Sequence, residues 1–191
     1  MLGKFKTLVL SAALCLAGCA SVQESTRVAT NLKAREYNSL AANYMLRPTF
    51  TSVENMSDGS TVLSVSRDGY GGNDHMVAPI RFLQSNTDGY VSLIDKYFEW
   101  DELALSRGDA ITKEIGRVDS WSAGPSGEIK FVFHSGNSER HFLSVSFCAV
   151  GTCLDDNALF FDPVNAKELK RLLLQLSSNE IKVENVDDIY K

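Results

Sequence analysis

Two stretches of strict alternation restrict this chain more than any other feature. Ile129, Phe131 and Phe133 place an apolar side chain at every second residue. Leu143, Val145, Phe147 and Ala149 do the same after a polar break at residues 135–138. A period of two gathers those side chains on one face of a strand, because successive Cβ atoms point to opposite sides of the pleat. Gly124-Pro125-Ser126-Gly127 is a turn signal just before the first run. Upstream of it Ile111 and Ile115 stand among polar residues, and downstream Leu159, Phe160 and Phe161 form one more short run. Short connections favour neighbouring antiparallel strands, so residues 110–161 are expected to form a meander of about four strands. Asp162-Pro163 then opens a helix, with Asp as N-cap and Pro in the first helical position. Leu169, Leu172, Leu173 and Leu176 form its apolar stripe, which is expected to cover one side of the sheet.

The first half of the chain is more varied. Val28, Leu32, Leu40, Ala41, Tyr44 and Met45 recur at steps of roughly three and four, so residues 22–47 read as a helix that ends at Pro48. Residues 61–66 read as a strand between two Asp-Gly turns, and residues 76–84 as a partner, with Pro79 at an edge or bulge. The loop Gly69-Tyr70-Gly71-Gly72-Asn73-Asp74-His75 between them is rich in glycine. It lacks the Lys-Ser/Thr of a phosphate-binding loop, and a hairpin connection is the expectation. Residues 86–89 read as a turn, and a helix is expected from an N-cap at Ser92 to Arg107, closed by Gly108. Residues 181–190 read as an edge strand or an acidic tail. Together these elements predict one α+β domain: an antiparallel sheet of about five or six strands, with a C-terminal meander and helices packed on one face.

The amino terminus carries a different signal. Lys4 and Lys6 precede an apolar run from Leu8 to Leu16, and small residues follow. That order is the layout of a secretory leader, and the run is too short to span a bilayer, which takes roughly 20 residues. Leu16-Ala17-Gly18-Cys19 resembles the lipobox of bacterial lipoproteins, a likeness confined to about the first tenth of the chain. The resemblance implies that residues 1–18 are removed, that Cys19 receives a diacylglycerol, and that its new amino terminus is acylated. Residues 19–24 are then a lipidated Cys with a short tether, and residues 25–191 the globular domain. Ala20 and Ser21, rather than Asp, follow the Cys. In a Gram-negative host the family's sorting rule then implies the periplasmic face of the outer membrane.

Composition fits that address. Of 191 residues 44% are hydrophobic and 23% charged, enough apolar material for a core. The leader holds two lysines and no acid, so its removal takes the formal charge of −5 to about −7. A dispersed acidic balance is a poor match for nucleic acid. With Cys15 in the leader and Cys19 lipidated, Cys148 and Cys153 remain in an oxidising compartment. They are expected to form a disulfide across a short hairpin loop.

No catalytic motif stands out. His134 and His141 lie at either end of a hairpin, where facing strand ends can bring two imidazoles together as metal ligands, although nothing in their spacing requires it. Glu99, Asp101 and Glu102 are neighbouring carboxylates, but consecutive helix positions do not face each other. Ser64, Ser66, Ser144 and Ser146 alternate with apolar residues and read as the outer faces of strands. Trp121, beside the turn at Gly124, is the large aromatic expected to be partly exposed and is the candidate partner contact. No cofactor is expected. The favoured expectation is a non-enzymatic envelope lipoprotein that binds or stabilises another envelope component, a protein or cell-wall material. The competing expectations are an envelope hydrolase acting on glycan, peptide or lipid, and a small-ligand carrier. A cleft in which a histidine meets a carboxylate is the sign that separates the hydrolase from the binder.

Overall fold

A computed structural model describes residues 21–67, 79–124 and 126–183. The leader and Cys19, the glycine-rich loop with His75, Pro125 and the tail from residue 184 lie outside the described residues.

The expected five- or six-stranded α+β sheet is not the fold. Strands dominate, and ten of them form one antiparallel sheet. They are β1 (Val22–Arg27), β2 (Lys33–Asn38), β3 (Asn43–Met56), β4 (Thr61–Arg67), β5 (Ile80–Leu83), β6 (Thr112–Ser120), β7 (Gly127–Asn137), β8 (Arg140–Ala149), β9 (Thr152–Cys153) and β10 (Leu159–Phe161). Eight follow one path, β5-β4-β3-β2-β10-β8-β7-β6, while β1 pairs with β3 and β9 with β8. The sheet curls into a half-barrel around two helices, α1 (Thr87–Arg107) and α2 (Pro163–Ser177). Its two ends approach closely enough for Ser120 Oγ on β6 to donate to the Arg81 carbonyl on β5 at 2.6 Å.

Residues 22–47 form strands rather than the expected helix. β1 pairs with β3 from Val22 opposite Met56, so pairing begins within the expected tether. Leu40, counted toward the helical stripe, is 98% exposed in the β2–β3 turn, where the Asn38 side chain accepts from the amides of Leu40 and Ala41. The other apolar residues divide between the two faces of the sheet. Ala34 enters the core, while Tyr37 and Tyr44 stand opposite each other on the outer face. Pro48 does not end a helix. It sits where β3 changes partner, at the last pair of the β2 ladder, with the β4 ladder starting at Thr49. A residue without an N–H is tolerated at such a boundary.

α1 begins five residues before the expected Ser92, because Gly89 is a packing position rather than part of a turn. A Cβ there would stand 3.2 Å from both methyls of Val118 on β6. Gly108, with φ 69°, closes the helix as expected. α2 starts as its sequence predicts: the Asp162 side chain accepts from the Asn165 amide at 3.0 Å, and Leu169, Leu172, Leu173 and Leu176 are buried.

The core fills the space between helices and sheet. Phe82, Tyr90, Tyr97, Phe131, Phe133 and Phe161 are fully enclosed there. Burying each such ring contributes on the order of 1.5–3 kcal/mol, and among the described residues these side chains pack the inside of the curl.

Candidate functional site

At one end of the half-barrel, the starts of β3 and β8, Arg35 of β2, the C-terminal half of α1 and the first turn of α2 enclose a cleft of about 380 Å³. Arg35, Tyr44, Asp101, Arg140, His141 and Asp162 line it. Asp101 is the one carboxylate of the Glu99-Asp101-Glu102 group that turns inward. Its Oδ1 lies 2.8 Å from His141 Nδ1, whereas Glu99 pairs with Lys96 on the solvent side at 2.6 Å. A carboxylate beside Nδ1 makes that nitrogen the donor of the pair. The ring's Nε2 is buried and has no hydrogen-bond partner among the described residues. The imidazole side chain has no exposed surface, and it packs against Phe133 with ring centres 5.0 Å apart. The Tyr97 hydroxyl donates to the His141 carbonyl at 3.2 Å. Burial, then the charges of Asp101 and Asp162, push this phenol far up and keep it protonated.

The opposite wall is an ion pair. Arg35 Nε donates to Asp162 Oδ2 at 2.9 Å, and Arg35 Nη1 donates to the Tyr44 carbonyl at 3.0 Å. Burial alone raises the Asp162 carboxyl, but the bonds from the Asn165 backbone and side chain, joined by Arg35, outweigh it and hold the group below the usual range. Arg140 and Glu139 stand exposed at the rim.

His134 does not join His141. On β7 it is opposite Phe142, while His141 is opposite Ser135, so the two rings project to opposite faces of the sheet. His134 lies on the outer face. Its Nε2 stands 2.5 Å from the Tyr44 hydroxyl and its Nδ1 3.1 Å from Thr112 Oγ1, among Tyr44, Phe142 and Phe160. Burial lowers its pKa and favours the neutral ring. The structure therefore does not build the shared His134–His141 metal site. Among the described residues no group of three or more His, Cys, Asp or Glu side chains is placed to hold an ion.

Cys148 and Cys153 face each other across β8 and β9 with sulfurs 2.00 Å apart, a disulfide closing the hairpin. Trp121 differs from expectation. It is only 9% exposed, because the chain leaving β6 carries it over the β5 edge onto the outer face of the sheet. There it packs on Met56, Val62 and Leu83. Its Nε1–H donates to Asp58 Oδ2 at 3.1 Å, and the Arg81 guanidinium lies 5.1 Å from the ring centre. The serines of β4 and β8 have no histidine partner among the described hydrogen bonds, and Ser146 donates to Asp155 at 2.8 Å.

The Asp101–His141 pair was missed as a pair, and only the inward phase of α1 could have hinted at it. Tyr97 and Asp101 are one helical turn apart, so a carboxylate shares the face of a buried ring. Compared with known protein families and with curated protein sequences, the chain matches no family model and no individual protein.

Proposed function

We propose that the protein is a lipoprotein of the bacterial envelope, held on the periplasmic side of the outer membrane by acyl chains on Cys19, and that it binds another envelope component without turning it over. The leader and Leu16-Ala17-Gly18-Cys19 support the anchor. The cleft between α1, α2 and β8 is the binding surface.

One observation carries binding over hydrolysis. A histidine oriented by a carboxylate is the arrangement expected of a general base, but a base must reach the proton it removes, at about 2.6–3.2 Å. His141 Nε2 is enclosed, with no hydroxyl or thiol among the described residues within hydrogen-bond distance. The pair therefore acts as a buried brace tying α1 to β8, and the exposed rim of Arg140, Glu139 and Leu105 supplies the contact surface. The carrier reading loses support because aromatic rings fill the inside of the curl.

The test is in-cell cross-linking with a photoreactive amino acid at Arg140 or Leu105, and at exposed Glu99 as the control. A discrete adduct from the first two positions and none from Glu99 supports the reading. Turnover of a glycan, peptide or lipid ester that disappears in His141→Ala overturns it in favour of the hydrolase.

A further inference from the structure

We propose that the domain stands end-on to its membrane, with the turns at residues 56–60, 120–124 and 149–153 against the lipid surface and the cleft facing away from it. The orientation rests on the anchor at Cys19 proposed above.

The first support is the way the chain enters the fold. The Ser21 amide donates to Ser57 Oγ at 2.9 Å, and the Ser57 amide donates to the Ser21 carbonyl at 2.8 Å. This reciprocal pair latches residue 21 to the β3–β4 turn, and the β1–β3 ladder follows at once with Val22 opposite Met56. Only Ala20 separates Ser21 from Cys19 in the sequence. Two residue steps reach at most about 7 Å. Acyl chains on Cys19 therefore hold the β3–β4 turn at the headgroups. β3 runs away from that point for 14 residues, roughly 45 Å at strand rise. Asn43 and Tyr44 at its other end line the cleft.

The second support is the chemistry of the near end. Register brings the turns together: Ser120 is opposite Gly127 and Gly127 opposite Ala149, while Trp121 bonds Asp58 in the β3–β4 turn. The three turns hold a single charged side chain, Asp58. Its carboxylate is already bonded by Ser60 and Trp121. Val150, at φ 50°, is 76% exposed at the tip of the disulfide-closed turn, and Val22 is 40% exposed beside the latch. Apart from Asp58, these turns present small uncharged groups and a projecting valine, which lose little hydration at headgroups, where a free charge loses much. The acids and bases of the cleft, Asp101, Glu139, Arg140 and Asp162, crowd the opposite end, clear of anionic lipid. The binding partner is thereby met tens of ångströms out from the bilayer.

The experiment uses the lipidated full-length protein in vesicles of phosphatidylethanolamine and phosphatidylglycerol. Single cysteines replace Ala123 at the near end and Leu40 at the far end, each carrying an environment-sensitive fluorophore. Mass spectrometry of the same sample reports acylation of Cys19. The expected result is a blue shift and at least a twofold loss of iodide quenching at position 123 on incorporation, with no change at 40. Acylated Cys19 with equal quenching at both positions, or with protection at 40, overturns the orientation and leaves the anchor standing. An unmodified Cys19 overturns both.

Discussion

Asp101 and His141 meet at 2.8 Å across 40 residues of sequence, one from the inward face of α1 and the other from the start of β8. The contact locks a helix to the sheet it covers, and His141 Nε2 has no hydrogen-bond partner among the described residues. Asp101→Ala removes the one hydrogen bond that the described residues give this buried imidazole. A charge-assisted bond of this kind is worth about 1.5–3 kcal/mol. The expected outcome is a loss of that size in urea unfolding at neutral pH.

Stability should also decline with acid through His134. Burial lowers its pKa below the ordinary 6.5. Between the lowered folded value and 6.5 the unfolded chain binds more protons than the folded one, so stability falls as pH drops through that window and levels off beneath it. His134→Gln keeps a hydrogen-bonding group beside Tyr44 and does not titrate. Urea midpoints at pH 7.5 and 5.5 should differ less in this variant than in the parent.

How far the sequence foretold these features depends on how local their causes are. α2 was legible because Asp162, Pro163 and four leucines lie within one helix. The β7–β8 hairpin was legible because both strands alternate strictly about a short turn. Residues 22–47 were not, because the outer face of the sheet carries its own aromatic cluster. Tyr37 and Tyr44 pack there with Phe142 and Phe160, so apolar residues face both ways and the period of two is lost. Gly89 misled for a related reason: its role is set by Val118, on a strand 29 positions later. The enclosure of Trp121 is not legible in the local sequence because the side chain that receives its N–H, Asp58, lies 63 residues earlier.

The Trp121 clasp makes a large prediction from a small cluster. Its ring covers Met56, Val62 and Leu83 and holds the end of β6 over β5. Trp121→Ala removes a buried aromatic and should cost about 3 kcal/mol. Trp121→Phe keeps most of the packing and loses the bond to Asp58, at a cost of about 1 kcal/mol. Chemical denaturation of the two variants separates packing from hydrogen bonding.

The Cys148–Cys153 bridge closes a loop with a sequence separation of 5. On the chain-entropy account so short a loop contributes about 2 kcal/mol. Reduction, or the double change Cys148→Ala and Cys153→Ala, should lower the melting temperature by several degrees. Thiol counting before reduction should find neither cysteine free.

The proposed anchor at Cys19 underlies both the proposed address of this protein and its proposed stance on the membrane, and one mass measurement reaches it. The protein is taken from detergent-solubilised membranes of a host that processes lipoproteins, and its amino-terminal peptide is weighed. The account predicts a peptide that begins at Cys19 and carries a diacylglycerol with a further acyl chain. A peptide that begins at Met1, or a Cys19 with a free thiol, would contradict it.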